Sequence, residues 1–252
     1  MKVTFLGTGT SMGVPVAGGF RSEELFHDPR NFRTRCSAWI QHKGQSILID
    51  AGPEFRIQSI QAKLQKLDHL LITHEHMDHV AGLDDLRIYS YINKSAIPAY
   101  ASKNCIKSVR RRFDYMFGKN KYPGSTSLKL IEAEDEFSLG NLKITTLPVM
   151  HGKTEVFGYR INNFSYVTDV KDIPDSTLEK IRGSKVLVLG ALRWNPEHPT
   201  HLTIPQAVEI IEELKIPEAY LIHMNSYVDH EQTNKNLPDH IKLAYDQQVI
   251  NV

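Results

Sequence analysis

The chain has 252 residues, 41% hydrophobic and 23% charged, enough to bury a full core as one large domain or two small ones. A formal charge of +1 gives no reason to expect nucleic acid or an anionic membrane as partner, and no apolar run approaches the ~20 residues of a membrane span. Two cysteines, Cys36 and Cys105, exclude a disulfide framework and a tetrathiolate zinc site, and the N-terminus reaches Gly7 too early for a signal segment, so a cytoplasmic protein with free thiols is expected.

Lys2–Leu6 reads as a strand feeding the loop Gly7-Thr8-Gly9-Thr10-Ser11-Met12-Gly13. The glycines resemble a dinucleotide fingerprint, but the third falls one residue late and no acidic residue follows a second strand at the right distance. They are expected instead to let the loop approach a pocket or a substrate phosphate. Ser37–Gln41 and Gln45–Asp50 flank the turn His42-Lys43-Gly44, a hairpin pattern. Glu54–Lys66 carries Ile57, Ile60 and Leu64 at helical spacing. Leu70–Ile72 is a short apolar strand, Asp84–Tyr91 reads as a helix, and Lys107–Tyr115 is a basic stretch. In the second half Glu136–Leu139, Leu142–Leu147, Val156–Ile161 and Ser165–Thr168 read as strands, with a turn at Asn162-Asn163. Ser176–Arg182 looks helical, Lys185–Leu189 is a buried strand, Ile204–Leu214 is an amphipathic helix, and Ala219–Ile222 is a strand. With no linker or repeat, residues 1–252 are expected to form a single α/β domain, a mixed sheet covered by helices on its outer faces.

Directly after Leu70–Ile72 comes Thr73-His74-Glu75-His76-Met77-Asp78-His79, which places three imidazoles and a carboxylate within six residues. These are the ligands that borderline divalent metals such as zinc prefer. Other strands also end in ligand-type residues: His151 after Leu142–Leu147, Asp169 after Ser165–Thr168, His198 and His201 beyond Lys185–Leu189, and His223 after Ala219–Ile222. Any one of these histidines alone reads as an ordinary loop or core residue. Together, His74, His76, Asp78, His79, His151, Asp169 and His223 suit two metal ions sharing one carboxylate.

This pattern resembles the metallo-β-lactamase superfamily across nearly the whole chain. His74-x-His76-x-Asp78-His79, the isolated His151, Asp169 and His223, and the Asp50-x-Gly52 turn carry the resemblance. It implies a four-layer αββα sandwich of two mixed sheets with helices on the outer faces. It also implies one metal on His74, His76 and His151, a second on Asp78, His79 and His223, and Asp169 as the bridge. The ions expected are zinc, with manganese or iron as alternatives. Thr4-Phe5-Leu6-Gly7-Thr8-Gly9-Thr10-Ser11 is similar to RNase Z and to the phosphoribosyl 1,2-cyclic phosphate phosphodiesterases. Met12-Gly13-Val14-Pro15-Val16, Ala191-Leu192-Arg193 and the run His198–Thr203 are closer to the second branch. There a histidine at the position of His201 serves in catalysis.

Two features depart from that branch. Ala17-Gly18-Gly19-Phe20-Arg21-Ser22-Glu23 lacks the cysteines of an auxiliary structural zinc, although His27 and Asp28 lie nearby, and Gly190 replaces a more polar residue. No long basic exosite insertion suggests tRNA processing; Arg110–Arg112 and Lys119–Lys121 are short charge runs. The function expected is hydrolysis of a small cyclic or nucleotide-like phosphodiester by a metal-bridging hydroxide. Asp78 is expected as a ligand, His201 as general acid or as an orienter of a ligand carboxylate, and Asp50 as acceptor for a ligand histidine. Arg193 would neutralise a second phosphate or hold a loop. The alternatives are an RNase Z-like nuclease, a thioester or lactone hydrolase, and a non-catalytic metal-binding protein. The resemblance is compatible with a homodimer.

Overall fold

A computed structural model describes residues 1–19, 23–118 and 121–252. Phe20, Arg21 and Ser22 of the loop after the glycines, and Lys119 and Asn120 of the charge run, lie outside the described residues.

Strands in the first half are β1 (Lys2–Gly7), β2 (Ser37–His42), β3 (Gln45–Ile49), β4 (His69–Leu71), β5 (Ile97–Ala101) and β6 (Leu128–Glu132). Those of the second half are β7 (Glu136–Leu139), β8 (Leu142–His151), β9 (Thr154–Ile161), β10 (Phe164–Val167), β11 (Val186–Gly190), β12 (Glu218–Ile222), β13 (Ile241–Leu243) and β14 (Val249–Asn251). They form two sheets of seven, ordered β14-β1-β2-β3-β4-β5-β6 and β13-β12-β11-β10-β9-β8-β7. Each sheet changes from antiparallel to parallel pairing midway, at β3–β4 in the first and β10–β11 in the second.

Period-two alternation sends the side chains of each strand into two different layers. Ile47 and Ile49 of β3, with Val186 and Val188 of β11 and Tyr220 and Ile222 of β12, meet in the core between the sheets. The intervening Leu48, together with Leu70, packs outward under helices α1 (Phe55–Gln61), α3 (Arg87–Asn93) and α4 (Lys103–Arg112). Leu187, Leu189 and Leu221 pack outward under α5 (Asp175–Ile181) and α6 (Ile204–Glu213). Two short helices, α2 (Met77–Val80) and α7 (His230–Lys235), complete the set. The architecture is αββα. Among the described residues no helix is long and apolar enough to cross a membrane, and both cysteines are free and buried.

Three of the elements placed from the sequence have different bounds or type. Helix α1 stops at Gln61, and Lys63 turns left-handed at φ 55°. Its buried side is Phe55, Gln58 and Ser59, whereas Ile57 and Ile60 are 46% and 60% exposed. Gln58 is buried because its amide donates to Thr34 Oγ1 and Arg35 O, at 2.7 and 2.9 Å. The helix expected over Asp84–Tyr91 is a 3₁₀ stretch, Ala81–Leu86, followed by α3. Strand β8 runs on through Pro148 to His151; β7 pairs with it only as far as Thr145, so the missing amide falls where no strand of that edge needs a donor.

Candidate metal centre

The loops at the carboxyl ends of the strands bring all seven predicted ligands together. Asp50, just after β3, Asp169, just beyond β10, and His223, after β12, take left-handed backbone at φ 58°, 26° and 63°. Such conformations are strained for residues other than glycine and are held by their surroundings. The entry to His74 is fixed across the sheets, because the Phe157 amide donates to Thr73 O at 3.0 Å and the Tyr159 hydroxyl to Ile72 O at 2.8 Å. Asp78 and His79 ride on α2, which is pressed against the turn after Asp50: the Ala51 amide donates to His79 O at 2.8 Å. A Cβ on Gly82 would lie 2.1 Å from Gly52 O, and one on Gly52 would lie 2.3 Å from Asp78 O. Only glycine permits that approach.

The potential ligand atoms fall into two groups, His74, His76, His151 and Asp169, then Asp78, His79, Asp169 and His223, each within 4.8 Å of one another. Asp169 faces both with different oxygens. Its Oδ2 lies 3.9 Å from His74 Nε2 and 4.0 Å from His151 Nε2. Its Oδ1 lies 3.2 Å from both His79 Nε2 and His223 Nε2. Two donors bound tetrahedrally to one zinc ion stand about 3.4 Å apart. Among the described residues the Nε2 atoms of His74, His79 and His223 are buried with no well-formed hydrogen bond, only the carboxylates of Asp169 and Asp78 before them. Orphaned buried polar atoms each cost ~1–3 kcal/mol, and three converging on one carboxylate make a cluster able to bind metal. His76 is exposed and opens the first group to solvent.

The far side of each ring is held in place. Asp50 Oδ2 pairs with His79 Nδ1 at 2.7 Å and accepts from the Thr73 hydroxyl at 2.7 Å, while Oδ1 accepts from the Thr73 amide at 2.8 Å. Since the Thr73 hydroxyl proton is spent on Asp50, its oxygen accepts from His74 Nδ1 at 3.0 Å. His151 Nδ1 donates to Thr200 O at 2.8 Å. These bonds select the tautomer that leaves Nε2 free for a cation.

The carboxylates and imidazoles of the cluster shift one another. Burial opposes the Asp169 carboxylate, yet His223 and His79 hold it well below the usual range. Burial likewise opposes a charged His79, but Asp169 and Asp50 on either side push its pKa well up. For His74, burial and then the neighbouring His79 push it well down. A cation entering the second group would have to displace the His79 proton.

His201 stands at the mouth between the groups, its ring 4.7 Å from His151 and 4.7 Å from His223, stacked on the latter. Burial, followed by His223, pushes its pKa down to about 3, so it is neutral at pH 7. Arg193 donates to Pro196 O at 2.9 Å, which spends it on the loop leading to His198. Asp28 is engaged with Arg30 at 2.7 Å. The glycine loop reaches the site through backbone: Thr8 O accepts from the His223 amide at 2.8 Å. The supporting roles of Thr73, Thr200 and Thr8 were not read from the sequence, since each acts through backbone groups or a single hydroxyl that most loops could supply.

An αββα frame whose two sheets converge on paired His/Asp groups defines a metal-binding class of protein. A model described as the beta-lactamase superfamily domain matches residues 45–224. A crystal structure of a diphosphatase from the PhnP family is 36% identical with a TM-score of 0.92, covering 100% of this chain and 97% of that one. The chain belongs to the metallo-β-lactamase superfamily, in its PhnP-like branch. An octanoyltransferase from Porphyromonas gingivalis (strain ATCC BAA-308 / W83) is 40% identical over 98% of this chain and 50% of its own length. A ribonuclease Z from Clostridioides difficile (strain 630) is 28% identical over 67% of this chain and 59% of its own. The chain thus spans about half the length of the curated relatives it matches. Zn(2+)-bound PqqB from Methylobacterium extorquens, 18% identical over 100% of both chains with a TM-score of 0.83, shares the fold.

Proposed function

We propose that this protein is a dimetal phosphodiesterase that hydrolyses a small cyclic or nucleotide-like phosphodiester. The observation that carries this reading is the division of Asp169, one oxygen toward each histidine group. His74, His76 and His151 would hold one divalent cation, and Asp78, His79 and His223 the other, with Asp169 shared. Zinc suits these ligands, and manganese or iron fits the same set. When bound, two such cations supply Lewis-acid charge to a phosphoryl oxygen and make water a nucleophile at neutral pH.

The chain's own residues do the rest. Asp50 and Thr200 fix the ligand rings, so little reorganisation remains at the moment of reaction. Asp78 and Asp169 serve as ligands and take no proton. His201, neutral at the mouth, presents an N–H that can hydrogen-bond to the leaving oxygen as charge develops there. Giving up a proton outright would require its imidazolium form, which a bound anionic phosphodiester would favour. His201→Ala should lower turnover of bis(p-nitrophenyl) phosphate by ~10²–10⁴-fold with metal content unchanged. Parallel loss of metal would leave His201 as an orienting residue.

A second reading, cleavage of a diphosphate, is favoured by the similarity to a PhnP-family diphosphatase. Assaying 2′,3′-cyclic nucleotides, ribosyl 1,2-cyclic phosphate, a nucleoside diphosphate ester, a tRNA precursor and an octanoyl thioester side by side separates the classes. Highest kcat/KM on a cyclic phosphodiester supports the main reading. A preference for the diphosphate moves the substrate to the anhydride, and a preference for the tRNA precursor or the thioester overturns phosphodiesterase action on a small molecule.

A further inference from the structure

The three ligand histidines that are buried and bonded at Nδ1, namely His74, His79 and His151, have their rings set by a partner. His223 does not: its Nδ1 is buried with no hydrogen-bond partner among the described residues. Apart from the stacked His201 ring and the Asp169 carboxylate in front of it, the His223 ring is aimed by its backbone, which lies in the left-handed region at φ 63°. At His223 that backbone is held by Thr8 O, which accepts from the amides of His223 and Met224 at 2.8 and 3.3 Å. Thr10 N returns a bond to Met224 O at 3.1 Å.

Thr8 is in turn held from below. Its hydroxyl donates to Asp246 Oδ1 at 2.8 Å. Asp246 Oδ2 accepts from the Thr34 amide at 2.8 Å and the Thr34 hydroxyl at 2.6 Å. Thr34 O accepts from the Gly9 amide at 2.8 Å, and Gln58 Nε2 donates to Thr34 Oγ1 at 2.7 Å. One half-buried carboxylate therefore ties the glycine loop to the segment before β2.

We propose that Asp246 is a positioning residue for the second metal group, acting on His223 through Thr8. The proposal rests on the dimetal reading above. Because the link reaches only His223, its loss should be selective. In Asp246→Asn an amide N–H₂ facing the Thr34 N–H sets donor against donor, and one facing Thr8 reverses that hydroxyl from donor to acceptor and removes the charge, so the knot closes only in a weakened form. The group of His74, His76 and His151 keeps its own supports.

The test uses zinc-loaded protein and follows transfer of zinc to a chromophoric chelator, with thermal unfolding in parallel. Wild type should release two equivalents. In Asp246→Asn one equivalent should become ~10–100-fold easier to remove, the range found when outer partners of metal ligands are lost, while the other is unchanged. Thr8→Val should reproduce this, and Thr8→Ser, which keeps the hydroxyl, should not. Two equivalents in Asp246→Asn as firmly held as in wild type would overturn the role of Asp246 alone. So would equal weakening of both together with a lowered melting temperature, the mark of a merely structural residue. Fewer than two equivalents in wild type would overturn the dimetal reading and this proposal with it.

Discussion

At residue 50 the chain turns left-handed, and the carboxylate placed there is fully buried with three donors around it. Burial raises its pKa, with His79 and the Thr73 donors pulling the other way. Asp50 bonds to His79 directly and reaches His74 through the Thr73 hydroxyl, so it supports one ligand in each group. Asp50→Asn should therefore weaken both zinc equivalents by ~10–100-fold, against the single equivalent expected for Asp246→Asn. Chelator competition on the two variants checks the contrast; one affected equivalent in Asp50→Asn would contradict the shared support. At this scale the sequence was legible where residue type is itself the signal. His74-x-His76-x-Asp78-His79 declares ligands because few other uses crowd those groups together. Asp246 declares nothing, since an aspartate near a chain end is ordinary until its three donors are seen around it.

Helix α6 shows a boundary set by local chemistry. Thr203 accepts from the Gln206 amide while Gln206 Oε1 accepts from the Thr203 amide, a reciprocal cap with Pro205 in the first turn. Thr203→Ala should cost about 1 kcal/mol of stability, measurable by urea unfolding, with zinc content unchanged. Loss of zinc would mean that the cap also holds the nearby His201 loop in a way the ligand groups need. The periodic reading placed α5, α6 and most second-half strands within a residue or two of where they lie. It failed where charge or brevity hides burial. Helix α4 presents Arg110, Arg111 and Arg112 to solvent and buries only Cys105 and Val109, so its basic stretch masked the helix. Strand β5 contains Pro98, and β13 and β14 have three residues each, too few for alternation to register. In α1 the apolar spacing pointed to Ile57 and Ile60, but the Arg35 carbonyl and the Thr34 hydroxyl reward the buried amide of Gln58 instead.

Across the whole molecule, the first sheet supplies His74, His76, Asp78 and His79 from loops after β4, and the second supplies His151, Asp169 and His223. Any cation bound here joins the two sheets at their edges. Binding only to the folded state adds about 4 kcal/mol per site at a thousandfold excess over Kd. For a chain of this length that corresponds to roughly 8–16 °C of melting temperature. Chelation of the zinc-loaded protein should lower the melting temperature by at least that range; no change would count against metal as a joint between the sheets.

Neither group is complete within one sheet, so occupancy requires two remote stretches of chain to be docked at once. Strand β14 then crosses back from the second half to pair with β1, closing the circuit that Asp246 and Thr8 share. In kinetic terms the centre is a coincidence detector. Tight zinc uptake during refolding would register the moment the sheets meet face to face, later than the appearance of either sheet alone.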